Sequence, residues 1–87
     1  MMNAKQAKEM TMTMRATLEE RARKIAINFA EVACQDAIKF AILKGKTITS
    51  LEVPEDIRID IVIDYLKEHG YRALDCNRGT RIDISWL

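Results

Sequence analysis

The pattern of apolar and polar positions organises the chain around Ile25–Leu43, a run rich in Ala and free of Gly and Pro, which predicts a helix. On a helical wheel, Lys24, Asn28, Glu31, Gln35 and Lys39 form one narrow polar stripe, with Arg21 beside it. Phe29, Ala33, Ala37 and Phe40 lie on the far side, flanked by Ile25, Ala26, Ala30, Cys34 and Ala41. A surface helix ordinarily shows an apolar stripe of roughly 100°. This one is apolar around more than half of its circumference, and the rest of the chain is too short to cover all of it. The pattern therefore predicts a homo-oligomer assembled through Ile25, Phe29, Ala33, Ala37 and Phe40. The alanines let helices approach closely, and the two phenylalanines fill the gaps between them.

Upstream, Asn3 followed by Gln6 has the form of a loose capping box. No Gly or Pro intervenes between Ala4 and Gly45, so one reading is a single helix of about 40 residues, roughly 60 Å long. The other reading breaks it near Thr11-Met12-Thr13-Met14, where β-branched residues lower helix propensity, and restarts it at a second capping box, Thr17 to Glu20. The weak apolar stripe before residue 15 favours the second reading, with residues 1–15 a flexible or separately packed helical arm of a single domain spanning 1–87.

Lys44-Gly45-Lys46 closes the helix, and Thr47–Val53 reads as a short strand. Pro54 at a first helical position and Gly70 as a cap then frame a helix whose Ile57, Ile61 and Tyr65 share a face. After Gly70 the chain alternates. Ile82, Ile84 and Trp86 lie on one side and Arg81, Asp83 and Ser85 on the other, as expected for a β-hairpin turning at Asn77-Arg78-Gly79. The predicted class is α+β: a long N-terminal helix, then strand–helix–hairpin, with a small sheet packed on helices. The expected core is Ile57, Ile61, Leu66, Ile82, Ile84 and Trp86.

Composition narrows the field. The 87 residues are 48% hydrophobic and 31% charged, which argues against disorder and against a disulfide-dense scaffold. The net charge of +1 gives no global attraction to nucleic acid. Residues 1–46 carry nine Lys or Arg against five Asp or Glu, and residues 47–87 carry five against eight. The two cysteines, Cys34 and Cys76, are too few for a zinc site and read as reduced thiols in a cytoplasmic protein. The N-terminus has no apolar signal segment, and no run is long enough to span a membrane.

The chemistry-bearing residues read as non-catalytic. His69, the only histidine, fits a helix cap. Cys76 beside Arg78 has the makings of a stabilised thiolate but fits an ordinary strand residue. Asp56, Asp60 and Asp64 recur on one helical face, too few oxygens for a metal and better read as a solvated stripe. With three glycines in all there is no phosphate loop, so no catalytic residue, metal or cofactor is expected. Tyr71, Arg72, Arg78 and Arg81 cluster on the hairpin instead. Arginine suits bidentate phosphate recognition, and an aromatic ring can stack on a base. A winged-helix DNA binder would share the helix-plus-basic-hairpin pattern, but the helix before the hairpin is acidic.

Tyr65-Leu66-Lys67, Gly70-Tyr71 and the closing Ile82-Asp83-Ile84-Ser85-Trp86 resemble a recurrent ending of small tailed-phage proteins with a Lys-rich arm and a long helix. The resemblance covers roughly 25 residues. It implies a phage origin and the host cytoplasm, and it assigns no residue a role. Such proteins work by binding, which gives two expectations. One is a counter-defence factor that sequesters a small phosphorylated ligand, such as a cyclic nucleotide, through Tyr71, Arg72, Arg78 and Arg81. The other is an inhibitor or adaptor acting on a host or virion protein.

Overall fold

A computed structural model describes residues 1–87. Helix α1 (Ala4–Phe29), a π-helical turn (Ala30–Cys34) and helix α2 (Gln35–Leu43) follow one another without a break. Strand β1 (Ile48–Glu52), helix α3 (Ile59–Glu68) and the hairpin strands β2 (Arg72–Cys76) and β3 (Arg81–Ser85) complete the chain. The α+β class and the order of elements are those the sequence predicts.

The N-terminus is capped as expected: Gln6 N donates to Asn3 Oδ1 at 2.9 Å, and Asn3 N donates to Gln6 Oε1 at 3.2 Å. The expected break at residues 11–14 does not occur. The hydroxyls of Thr11, Thr13 and Thr17 donate back to the carbonyls of Ala7, Glu9 and Thr13, so the helix itself satisfies them. The propensity penalty of each threonine, only a few tenths of a kcal/mol, does not interrupt a continuous ladder. Residues 4–16 are exposed on every side, so this part of α1 projects as an arm and the molecule measures 63 × 22 × 16 Å.

Both other helix ends turn on glycine. After α2, Gly45 at φ 72° lets Lys46 N reach Ala41 O at 2.9 Å and Gly45 N reach Ile42 O at 2.9 Å. After α3, Gly70 at φ 86° lets Tyr71 N reach Leu66 O at 3.1 Å. These are Schellman caps, and they aim the chain into β1 and β2. Helix α3 starts later than predicted. Pro54 begins a turn, with Ile57 N donating to Pro54 O at 3.1 Å, and extended Arg58 precedes the first helical residue.

The sheet is antiparallel in the order β1-β3-β2, with Ile84 between Thr49 and Ala73 and Ile82 between Leu51 and Asp75. Ile82 and Ile84 are fully buried. They pack with Ala73, Val53, Val62 and Leu66 beneath a straight seam of the long helix, Ala26, Ala30, Cys34 and Ile38. Of the expected core, Leu66, Ile82 and Ile84 are buried, whereas Ile57, Ile61 and Trp86 are half-buried around it. Val62 takes the central place because α3 lies between α1 and β2, which turns positions 62 and 66 inward.

The seam explains the π turn. Ala26, Ala30, Cys34 and Ile38 recur every fourth residue, and an ordinary helix at 3.6 residues per turn would rotate them progressively away from the core. At the π turn Gln35 N donates to Ala30 O, five residues back. That local widening takes up the drift and keeps the seam on one line.

Candidate functional site

The predicted assembly stripe is the buried seam displaced by one residue. Ile25, Phe29, Ala33, Ala37 and Phe40 each precede a buried neighbour: Ala26, Ala30, Cys34, Ile38 and Ala41. One residue is about 100° of helix, so the stripe runs beside the core-facing seam along its whole length. Of the residues that the wheel places on the flank, Ala26, Ala30, Cys34 and Ala41 are buried and Ile25 is not; of those it places at the centre, only Phe40 is exposed. Ile25 and Phe40 are 46% and 61% exposed. Ala33 and Ala37 are half-buried, and Phe29 leans against the core. Lys44 Nζ sits 4.3 Å from the centre of the Phe40 ring, a cation–π contact. The sequence reading missed that the stripe continues onto the arm. Leu18 lies seven residues before Ile25, and Met14 lies four before Leu18, spacings that share a face, and both are exposed.

The four hairpin residues do not converge. Arg72 lies opposite Ser85 and Arg81 opposite Cys76, so the two arginines stand on the same open face about 13 Å apart along the strands. Arg78 is at the tip of the turn, at φ 56°. Tyr71 packs edge-on to Trp86, with ring centres 6.4 Å apart. Tyr71 and Arg72 share a shallow hollow of about 500 Å³ with Lys67 and Ser85, and Asp83 and Ile48 line it too. Lys67 is the cation the sequence reading missed. The cap at Gly70 folds it back beside a residue four positions on.

The candidate nucleophile is quenched. Cys76 Sγ donates to Asp83 Oδ2 at 3.1 Å, and this hydrogen bond to a carboxylate holds the thiol above its ordinary range. Cys34 is sealed in the core, and burial pushes it up to about 11. His69 behaves as the cap that the sequence suggests: its Nδ1 lies 2.8 Å from Tyr65 O. Within the acidic stripe, Asp60 is engaged by Arg58 at 2.7 Å.

Asp83 is the polar centre of the open sheet face. Ser50 Oγ donates to its Oδ1 at 2.5 Å and Cys76 to its Oδ2, and these bonds hold its carboxyl below the usual range. A depressed carboxyl favours the folded state above its unfolded value, about pH 4, and this contribution disappears as pH falls through the folded value. Asp83→Asn is therefore expected to flatten the acid limb of a thermal-midpoint-versus-pH curve. An unchanged acid limb in that variant would assign the pH dependence to other carboxylates.

No protein-family profile matches the chain, and neither a curated protein nor a solved structure shows detectable similarity to it. No helix is long and apolar enough to cross a membrane.

Proposed function

We propose that this is a non-enzymatic binding protein that acts as a homo-oligomer, with the outer stripe of the long helix as its assembly surface and a host or virion protein as its target. The observation that carries the reading is the exposure of Met14, Leu18, Ile25 and Phe40 along the long helix, spread over about 40 Å. A second copy supplies a matching stripe through a two-fold axis, which is the usual form of a self-complementary interface. The C-terminal resemblance to small tailed-phage proteins supports the host cytoplasm as the setting.

The test is native mass spectrometry of the wild type beside Ile25→Glu/Phe40→Glu. The wild type is expected as a discrete oligomer and the variant as a monomer. Both replaced side chains are exposed within the protomer, so the variant's far-ultraviolet spectrum should not change. A wild-type monomer at micromolar concentration would remove the basis of the proposal.

A second reading, sequestration of a small phosphorylated ligand such as a cyclic nucleotide, draws on the hollow where Lys67, Tyr71 and Arg72 meet. Arg78 and Arg81 lie elsewhere, so a full clamp on a phosphate would combine groups from neighbouring copies. Under this reading a nucleotide raises the melting temperature by mass action, and Arg72→Ala with Lys67→Ala abolishes the rise.

A further inference from the structure

A second hollow, of about 170 Å³, opens between the π turn and the C-terminal end of α3. Its floor is apolar, made of Ala30, Ile38 and Leu66, and its walls are Tyr65, His69 and Tyr71. Glu31 and Gln35 stand at the rim. No Lys or Arg lines it, and Glu31 is its only carboxylate.

The walls are held in place. Tyr65 Oη donates to Glu31 Oε1 at 2.9 Å, a bond that also keeps the phenol protonated. It orients the carboxylate and leaves Oε2 free to accept. The His69 ring lies 4.3 Å from the Tyr65 ring. Because Tyr65 O can only accept, His69 Nδ1 is the donor in their contact. Trp86 backs Tyr71 edge-on.

This set of groups selects its ligand by exclusion. An anion would meet a carboxylate and no cation. A hard metal ion requires six or more oxygens, and one carboxylate cannot supply them. A nucleotide exceeds the space, since pockets for ligands of that size run from about 300 Å³ upward. What remains is a small organic cation: aromatic faces attract its charge, Glu31 pairs with it, and the apolar floor takes its methylenes.

We propose that the hollow between the π turn and α3 binds the head of a primary alkylammonium, through Glu31, the rings of Tyr65 and Tyr71, and the floor of Ala30, Ile38 and Leu66. The site also accounts for Glu31 and Gln35 being on a widened turn of helix, since π turns recur where side chains are set for binding. Two sources carry this chemistry, a free diamine and the side chain of a lysine. Neither depends on whether the protein self-associates.

The experiment is an amide-resolved NMR titration of the full chain with cadaverine, with pentanediol as the uncharged control and Nα-acetyl-lysine amide as the side-chain arm. The expected result is saturable shifts at Glu31, Gln35, Tyr65, His69 and Tyr71 with the amines and none with the diol. Tighter binding of cadaverine identifies a free diamine, and tighter binding of the lysine amide a side chain. Glu31→Gln, an exposed and isosteric change, should weaken binding by up to about fivefold. Gln35→Lys, also exposed, should block the site independently by placing a cation at the rim. Equal binding of the diol, no saturable shift at millimolar amine, or undiminished affinity in both variants would overturn the assignment.

Discussion

Replacing Ile82 by Ala is expected to destabilise the protein by about 2–5 kcal/mol, the largest effect of any single side-chain truncation proposed here. Ile82 is fully buried at the middle of the central strand, between Leu51 and Asp75. Only 11 of the 87 residues are buried, and Ala26, Ala30 and Cys34 on the facing seam are small. Rigid helix and sheet backbones hold the walls apart, so the space left by the lost methylenes does not readily collapse. Domains of this size hold about 5–15 kcal/mol in all, and each kcal/mol moves the melting temperature by roughly 4–8 °C. The variant should therefore melt at least about 8 °C lower, measured at matched protein concentration because self-association would add its own stabilisation. A fall of a degree or two would mean that the sheet and helices are not closed over Ile82.

Deleting Val32 should leave the protein folded and close to its original stability, whereas deleting Asp36 should destabilise it strongly. Both residues are exposed, so lost contacts do not distinguish them. Register does. Removing Val32 from the π turn turns the buried spacing of four, four, four and three into four, three, four and three. That is the spacing an ordinary α-helix needs to keep one face inward, and the widened turn is no longer required. Removing Asp36 instead rotates Ile38 and Ala41 away from Cys34 by about 100°, taking two buried residues off the core. It also rotates the Gly45 cap and the entry to β1. The loss should reach several kcal/mol, comparable to that of a core truncation. Circular dichroism melts of the two deletions decide it, and equal destabilisation would mean that the seam does not set the helix register.

The sequence made the long helix legible through its alanines and through the absence of Gly and Pro before Gly45. Asn3, Gln6 and Gly45 marked its ends and Gly70 the C-terminal end of α3, because each fills a capping position with few alternatives. The alternation from Arg81 to Ser85 displayed the central strand directly. The π turn was hidden because a change of backbone hydrogen-bond register has no side chain of its own. Its only trace was the four-residue spacing of Ala26, Ala30, Cys34 and Ile38, the first three of them read on the wheel as the flank of a wide apolar face. Pro54 misled because proline fits the first residue of a turn as well as that of a helix, and position 54 took the turn. The hairpin arginines look clustered within ten residues of chain, yet strand pairing sets Arg72 and Arg81 at opposite ends of the register. The hollow at Glu31 was not legible at all, since its parts come from Ala30–Ile38 and Tyr65–Tyr71 and meet only through the packing of α3.

The projecting arm has a hydrodynamic consequence. The radius of gyration is 17.0 Å, against about 12 Å for a compact chain of this length. A single copy therefore drags through solvent like a considerably heavier sphere. Gel filtration against globular standards would credit a monomer with mass it does not have, and truncating the arm would shift the elution even if no partner were lost. Friction and association are separated only by a quantity proportional to mass itself, such as light scattering or sedimentation equilibrium.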